Sequence, residues 1–362
     1  MSAAASLSKS NLVLFAAALL LAVPTGLTVW DEREVFTEVT DLARLFPGFT
    51  QANVRAIGIA VPLRDEKGGL TRDEKGELRR EITQFVRTDV DWVIADGPLG
   101  GAPVRDEVVY ERVLRHLEAI PLDEDALVLA DGTPEQLLRY GLSAEEAVEI
   151  RCVDGAQRLI AELLVGKDAS AGRVGKDVVR GFFVRARDSA DVVLYEQDYW
   201  VIDPDPRQWI DRHPVRLPID EVVRVHVKAP KGEVAFERAT RDTPDWTKAI
   251  GPDGVGPPRN NEVRALIQQL LAFEIQDYVT RLPADGSLDQ ILAERGLATP
   301  KIFAEARLAD GRVFRIDVGS KVPGKNEYWV RCSAVEFLLS AGDWVATRFD
   351  RDPEPYFDPP RR

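Results

Sequence analysis

Cysteine and histidine are scarce, and each scarcity removes a class of chemistry. Only Cys152 and Cys332 occur in 362 residues, 180 positions apart, which excludes the dense disulfide framework of a small secreted scaffold. Cys152 lies in the apolar stretch "AVEIRCV" and Cys332 ends "EYWVRC"; two separate buried thiols are preferred over a bridge, with the pairing left open. The three histidines, His116, His213 and His226, stand at no metal-ligand spacing with one another or with a cysteine, so surface or hydrogen-bonded core roles are expected for them.

Motifs of catalysis are missing as well. There is no G-x-S-x-G elbow, no G-x-G-x-x-G, and no phosphate loop ending in Lys-Ser or Lys-Thr. "LLVGKDASAG", Leu163 to Gly172, lacks the spaced first glycine of such a loop. Acidic stretches at Asp203 to Asp205 and Leu122 to Ala126 lack the ordered five to seven oxygens of a calcium loop. No catalytic, cofactor-binding or metal-ligating residue is therefore expected, although a carboxylate pair drawn from distant segments leaves no local motif.

Uncharged length is also rare, with one exception. Ser10 to Trp30 carries no charge and Leu12 to Val23 is almost pure Leu, Ala, Val and Phe, enough at ~1.5 Å per residue to cross a hydrocarbon core of ~30 Å. Residues 11–30 are read as an anchor in the lipid bilayer. A cleaved signal peptide is less favoured, because no small-x-small site follows. Lys9 is the one basic residue before the span while Asp31, Glu32, Arg33 and Glu34 follow, which predicts a single pass through the inner (cytoplasmic) membrane with the bulk of the chain on the extracytoplasmic or periplasmic side. The chain is acidic, 60 Asp and Glu against 47 Lys and Arg, so bulk charge gives it no hold on nucleic acid or anionic lipid.

What is abundant is self-similarity. "VDWVIADGP" (Val90 to Pro98) matches "PDWTKAIGP" (Pro244 to Pro252) at an offset of 154, pairing Trp92 with Trp246. "EVVYERVLRHLEAI" from Glu107 matches "EVRALIQQLLAFEI" from Glu262 at 155, the same offset that pairs Gly141 with Gly296. "NVRAIGIAV" at Asn53 and "VVRVHVKAP" at Val222 stand 169 apart. Unbroken order over seven such phrases implies duplication, with the drift in offset assigned to loop lengths.

One copy reads as a strand, a Trp region and an amphipathic helix, followed by a short helix stopped by Gly141 or Gly296. Two strands around an Asp-Gly turn (Gly155, Gly311) and one further strand complete it. Trp92 and Trp246 are expected as core anchors. The fold class is α+β: two tandem repeats, each an antiparallel sheet covered by a helix, behind one N-terminal transmembrane helix. The predicted division is an anchor 1–30, a juxtamembrane helix 31–45, a first repeat 46–198 and a Pro/Trp-rich surface linker 199–221, then a second repeat 222–349 and a loose or docking tail 350–362. Copy one carries an extra stretch with "RDEKG" twice, expected as a solvated hairpin or short helix. The copies differ most there and in the linker, so Arg72, Lys75, Trp200 and Trp209 are the candidate interaction surface.

The sequence of "LFPGF", Trp hairpin, striped helix, "YGL" or "RGL", Asp-Gly hairpin and "Y/F-x-V-R" resembles the family known as domain of unknown function 4340. The resemblance runs from about Arg44 to Phe349 and departs from the family pattern at the "RDEKG" insertion. It implies an extracytoplasmic accessory or scaffold role in a membrane complex such as an ABC-type exporter or a gliding-type system, acting through protein–protein surfaces, and carries over no catalytic residue. A glycan hydrolase of the envelope and a solute- or polymer-binding module using the cleft between copies are the alternatives.

Overall fold

In a computed structural model, residues 43–170, 180–197, 200–215 and 218–360 are described. The expected anchor 11–30 and most of the juxtamembrane segment lie outside them. Among the described residues no helix is long and apolar enough to cross a membrane.

The chain is α+β, with two antiparallel sheets and a few helices. The first nine strands are β1 (Ala56–Pro62), β2 (Arg80–Arg87), β3 (Trp92–Ile94), β4 (Pro103–Val104), β5 (Leu127–Leu129), β6 (Val148–Val153), β7 (Leu159–Asp168), β8 (Phe182–Ala186) and β9 (Val192–Tyr195). They form one sheet in the order β4-β3-β2-β1-β6-β7-β8-β9-β5. The second sheet comprises β10 (Val222–Ala229), β11 (Gly232–Glu237), β12 (Thr247–Ile250), β13 (Asp277–Arg281), β14 (Ile302–Leu308), β15 (Val313–Lys321), β16 (Glu327–Cys332) and β17 (Phe337–Gly342). Its order, β12-β11-β10-β14-β15-β16-β17-β13, is that of the first sheet without β4.

The helices follow the same plan. Helix α1 joins Asp106–Val109, a π-helical turn at Tyr110–Leu114, and Arg115–Ala119; its counterpart α3 is Asn260–Leu271. The buried stripe is Val109, Val113, Leu114 and Leu117 in α1, and Val263, Leu266, Ile267 and Leu270 in α3. The first gap is four residues in α1 and three in α3, because the π turn accommodates one extra residue. Thus the offset changes inside the helix, from 154 at Val109 to 153 at Leu117, and loop length is not its cause. The expected value of 155 placed Val108, only half-buried, in the stripe.

Short helices α2 (Pro134–Arg139) and α4 (Leu288–Glu294) end alike. Gly141 (φ 70°) and Gly296 (φ 69°) take the left-handed conformation. Leu142 N–H donates to the Leu137 carbonyl at 2.9 Å, and Leu297 N–H to Leu292 at 2.7 Å, while the glycine N–H groups reach Leu138 and Ala293, both at 3.1 Å. This is the six-to-one, five-to-two pattern that satisfies the last carbonyls of a helix. At its start α2 carries a reciprocal cap between Thr133 and Gln136, with Pro134 in the first turn.

Three expectations need correction. The Asp-Gly hairpins do not superpose on their Asp-Gly pairs: the positive φ falls on Gln157 (60°) and on Gly311 (88°), so Gly155 has no special conformation. Ladder pairing sets Ile57 against Cys152 and Val225 against Ala306. The strand offset is therefore 168; one residue more would point His226 inward, since a single slip exchanges the two faces of a strand. Finally, Ala43 to Leu45 is not helical, as Arg44 bridges Pro121 and Leu45 N–H donates to the Ile120 carbonyl.

The largest correction concerns the tail, expected as a loose end or docking peptide. Its described residues are held as firmly as those of the linker, whose Trp200 and Trp209 are buried. Arg105 N–H donates to the Trp209 carbonyl (3.2 Å) and Asp211 N–H to the Pro103 carbonyl (2.8 Å). In the second half Arg259 N–H donates to Tyr356 (2.8 Å) and Asp358 N–H to Pro257 (2.9 Å). Each segment enters through a 3₁₀ turn, Pro206–Gln208 or Glu354–Tyr356, and puts an aromatic ring on a buried phenylalanine: Trp209 on Phe85 at 4.9 Å, Tyr356 on Phe236 at 5.8 Å. These segments close the two halves. One continuous apolar core includes Trp209, Tyr356 and Phe357 alike.

Candidate functional site

The expected site residues separate into core and surface. Trp92 and Trp246 are buried, and each lies under a guanidinium from the adjacent strand or its end, Arg87 at 5.8 Å and Arg238 at 5.0 Å. Both belong to the apolar core. Trp209 is fully buried, Trp200 is 6% exposed, and their indole N–H groups donate to the Asp203 carbonyl (2.8 Å) and the Arg112 carbonyl (2.7 Å). Inward burial with a satisfied N–H leaves neither ring for a partner. Arg72 and Lys75 are exposed.

These two belong to a doubled turn. Asp65 Oδ1 accepts from the N–H groups of Lys67 (2.9 Å) and Gly69 (2.8 Å), and Asp73 Oδ1 from those of Lys75 and Glu77, both 2.9 Å. Gly68 and Gly76 supply φ of 82° and 83°. Arg64 and Arg72 each return a hydrogen bond of 3.0 Å to the carbonyl of the turn glycine. The insertion is thus two copies of one aspartate-capped turn, built from the pentapeptide itself. Arg72 pairs with Glu145 at 2.7 Å, and Arg80 donates to the Ala144 and Ala147 carbonyls. Together they tie the turns to the segment after α2.

Beside the turns lies a face that the two halves treat differently. Outer positions of β1 and β2 are Ala56, Gly58 and Ala60 opposite Val86, Gln84 and Ile82. Ile82 is 61% exposed and Val86 39%, and nothing stands within 4 Å of where a Gly58 Cβ would be. The same register in β10 and β11 carries Arg224, His226 and Lys228 opposite Glu237, Ala235 and Glu233. There His226 Nε2 meets Glu233 at 2.8 Å and Arg224 meets Glu237 at 3.4 Å. One face is shallow and apolar; its counterpart is covered by ion pairs. On the far side of β1, Arg151 and Arg187 bind Glu149 and Glu162 at 2.5–3.5 Å and bound the apolar strip.

A cleft of about 560 Å³ separates β3 and β4 from β15 and the β16–β17 turn, lined by Pro103, His213, Arg281, Arg312, Phe314 and Phe337 among others. Arg281 is paired with Glu336 (2.9 Å) and Arg312 with Asp310 (2.6 Å).

His116 and both cysteines lie inside the fold. His116 is buried, stacked on Trp200 at 4.5 Å, with Nδ1 3.0 Å from the Tyr195 hydroxyl. Burial, helped by the Arg115 charge, depresses its pKa to about 4. His213 is exposed beside Asp211. Cys152 and Cys332 are separate, free and buried, and burial raises both thiols, Cys332 to about 12. Asp123 and Asp203, from the acidic stretches, cap the N–H groups of Ala126 and Asp205, both at 2.8 Å. Lys167, in the glycine-containing stretch, donates to the Arg139 carbonyl at 3.2 Å, at the end of α2. Among the described residues no group of three His, Cys, Asp or Glu is placed to hold a metal.

The family model for "Domain of unknown function (DUF4340)" matches residues 101–290, just over half of the chain. The chain belongs to this family. No curated protein and no solved structure matches it. The DUF4340 match begins at the edge of β4, crosses the first closing segment and ends in α4, so it spans the junction of the halves. The apolar strip lies outside the matched stretch. Its signal in the sequence was the alternation of Ile82, Gln84 and Val86 opposite three small residues, which is visible only once β1 and β2 are paired.

Proposed function

We propose that this DUF4340 protein is a membrane-anchored, extracytoplasmic accessory subunit that acts through protein–protein contact, in a membrane complex such as an ABC-type exporter. The single observation that carries the reading is the contrast of faces: Ile82 and Val86 stand exposed over Ala56, Gly58 and Ala60, where the other half has paired charges. Exposed apolar side chains rimmed by charge are the usual form of a docking patch, and the "RDEKG" turns supply part of the rim. The uncharged run Ser10 to Trp30 supplies the membrane attachment.

We also take the halves as copies of one duplicated module. Shared strand order, shared helix stops and matched closing hydrogen bonds support this. On that reading the scaffold is common and the role lies where the copies diverge.

The test is co-purification of the full-length protein from membranes, compared with an Ile82→Lys/Val86→Lys variant. Wild type is expected to carry a permease with it and the variant to lose it, with unchanged thermal stability. Equal recovery in both would sink the docking face; isolation of the wild type alone would sink the accessory role. A binding module remains the second reading, favoured by the cleft between Phe314, Phe337 and Pro103, and turnover of cell-wall glycan by the purified protein would refute both.

A further inference from the structure

A second pocket, about 290 Å³, opens where α1 meets the first closing segment. Arg105, Arg112, Arg207, Gln208, Arg212, His213 and Glu274 line most of it. Four guanidinium groups around one small space, with a single carboxylate in the lining, run against the acidic balance of the chain. Arg207 is paired with Asp277 at 3.1 Å. Among the described residues Arg105, Arg112 and Arg212 have no carboxylate partner, whereas Arg259, which holds the place of Arg105 in the second half, is paired with Asp358 at 3.2 Å. Among the described residues Arg112 Nη1 is closed off from solvent and finds no acceptor to donate to, although its guanidinium lies 5.2 Å from the Trp209 ring centroid.

The backbone supports the same place. Arg112 sits in the π-helical turn Tyr110–Leu114, the one extra residue that α1 has and α3 lacks. Such turns interrupt good helical hydrogen bonding and recur at functional sites. Gathering like charges and leaving a buried N–H unpaired both cost stability. An anion in the pocket offsets both.

We infer that the pocket formed by Arg105, Arg112 and Arg212 is a binding site for a phosphoryl-type anion. Three unpaired guanidinium groups offer more donors than the two oxygens of a carboxylate accept. A phosphate group presents three oxygens with a charge near −2, and guanidinium forks match its geometry. The site goes beyond the docking role, since it lies on α1 and the closing segment rather than on β1 and β2.

The experiment is calorimetric titration of the full-length protein with sodium pyrophosphate at low salt, together with sedimentation on phosphatidylglycerol and phosphatidylcholine vesicles. Saturable pyrophosphate binding is expected, weakened about tenfold or more in Arg105→Gln, Arg112→Gln and Arg212→Gln, unchanged in Lys75→Gln, and diminished as salt rises. Arg105 and Arg212 are exposed, so their variants keep the test open if Arg112→Gln fails to fold. Pyrophosphate binding alone assigns a free phosphate ligand. Sedimentation with phosphatidylglycerol but not phosphatidylcholine, lost in the same variants, assigns a lipid headgroup. Binding to neither probe, or binding indifferent to all three substitutions, overturns the site.

Discussion

Gly166 in β7 backs directly onto the carbonyl oxygen of Tyr140, the residue that ends α2, so that a Cβ at Gly166 has no room. Gly319 in β15 stands in the same relation to Arg295 after α4. In each case the next residue of the strand donates its N–H to that carbonyl, Lys167 to Tyr140 at 2.8 Å and Ser320 to Arg295 at 2.7 Å. A helix stop is thereby hydrogen-bonded onto a strand near its C-terminal end, and glycine is what lets the two backbones approach.

Gly166→Ala and Gly319→Ala are therefore expected to destabilise by about 2–3 kcal/mol each, the scale of overpacking in a close-packed interior. The blocking atom is backbone and has no rotamer to change. Gly58→Ala, which meets open space, is the control and stays within about 0.5 kcal/mol of wild type. Urea unfolding of the three variants checks this, and equal midpoints for all of them would refute the close approach.

His116 gives the fold an acid sensitivity of known sign. Its folded pKa, about 4, lies below the unfolded value of 6.5, so protonation favours the unfolded chain. Stability is unaffected by this group above pH 6.5, falls as the pH drops from 6.5 toward 4, and is lower by up to about 3 kcal/mol below that. Paired carboxylates such as Glu233, whose pKa is lowered first by its bond to His226, also lose their contribution in acid. The difference between wild type and His116→Phe isolates the histidine. The two stability profiles are expected to converge as the pH falls from 6.5 to 4; parallel profiles would contradict the buried neutral ring.

Cys152 and Cys332 are predicted to be inert while the protein is folded. The thiolate is the reactive form, and burial both raises the thiol pKa and blocks the reagent. A chromogenic disulfide reagent at pH 8 should label neither thiol in the native protein and both after denaturation. Fast labelling of one native thiol would show an opening that the packed strands do not display.

Much of this plan was legible because its markers are short-range. A helix stop needs Gly at one position, and Gly141-Leu142 and Gly296-Leu297 announce it without tertiary context. Trp92 and Trp246 are unmistakable for the same reason. Register was less legible: the extra residue of the π turn is an ordinary helix former, and the left-handed hairpin position is Gln157 in one half and Gly311 in the other, so matching Asp-Gly to Asp-Gly misaligned them. The arginine pocket was invisible because its lining comes from α1, the closing segment and Glu274, more than sixty positions apart in the chain. Proline density misled most. Asp203 to Asp211 and Asp352 to Asp358 read as linker and tail, while proline there serves to enter a 3₁₀ turn that delivers an aromatic residue to the core.

That last point makes the C-terminus a structural element and gives a decisive comparison. Phe357 is 2% exposed, pairs with Pro258, and lies 5.5 Å from the Phe236 ring. Asp358 holds the segment with an ion pair to Arg259 and a backbone bond to Pro257. Phe357→Ala is expected to cost about 3–5 kcal/mol, as for a buried phenylalanine with little room to collapse around the void. Removal of residues 353–362 is expected to cost more, because Tyr356 leaves with it and the Arg259 N–H loses its acceptor. Trp209→Ala, at the place that Tyr356 holds in the second half, should fall in the same range as Phe357→Ala or above it. Thermal unfolding of the three proteins decides the matter: a truncated chain as stable as the full one would mean that the tail is an appendage, whereas parallel losses at both ends mean that each half depends on its own closing segment.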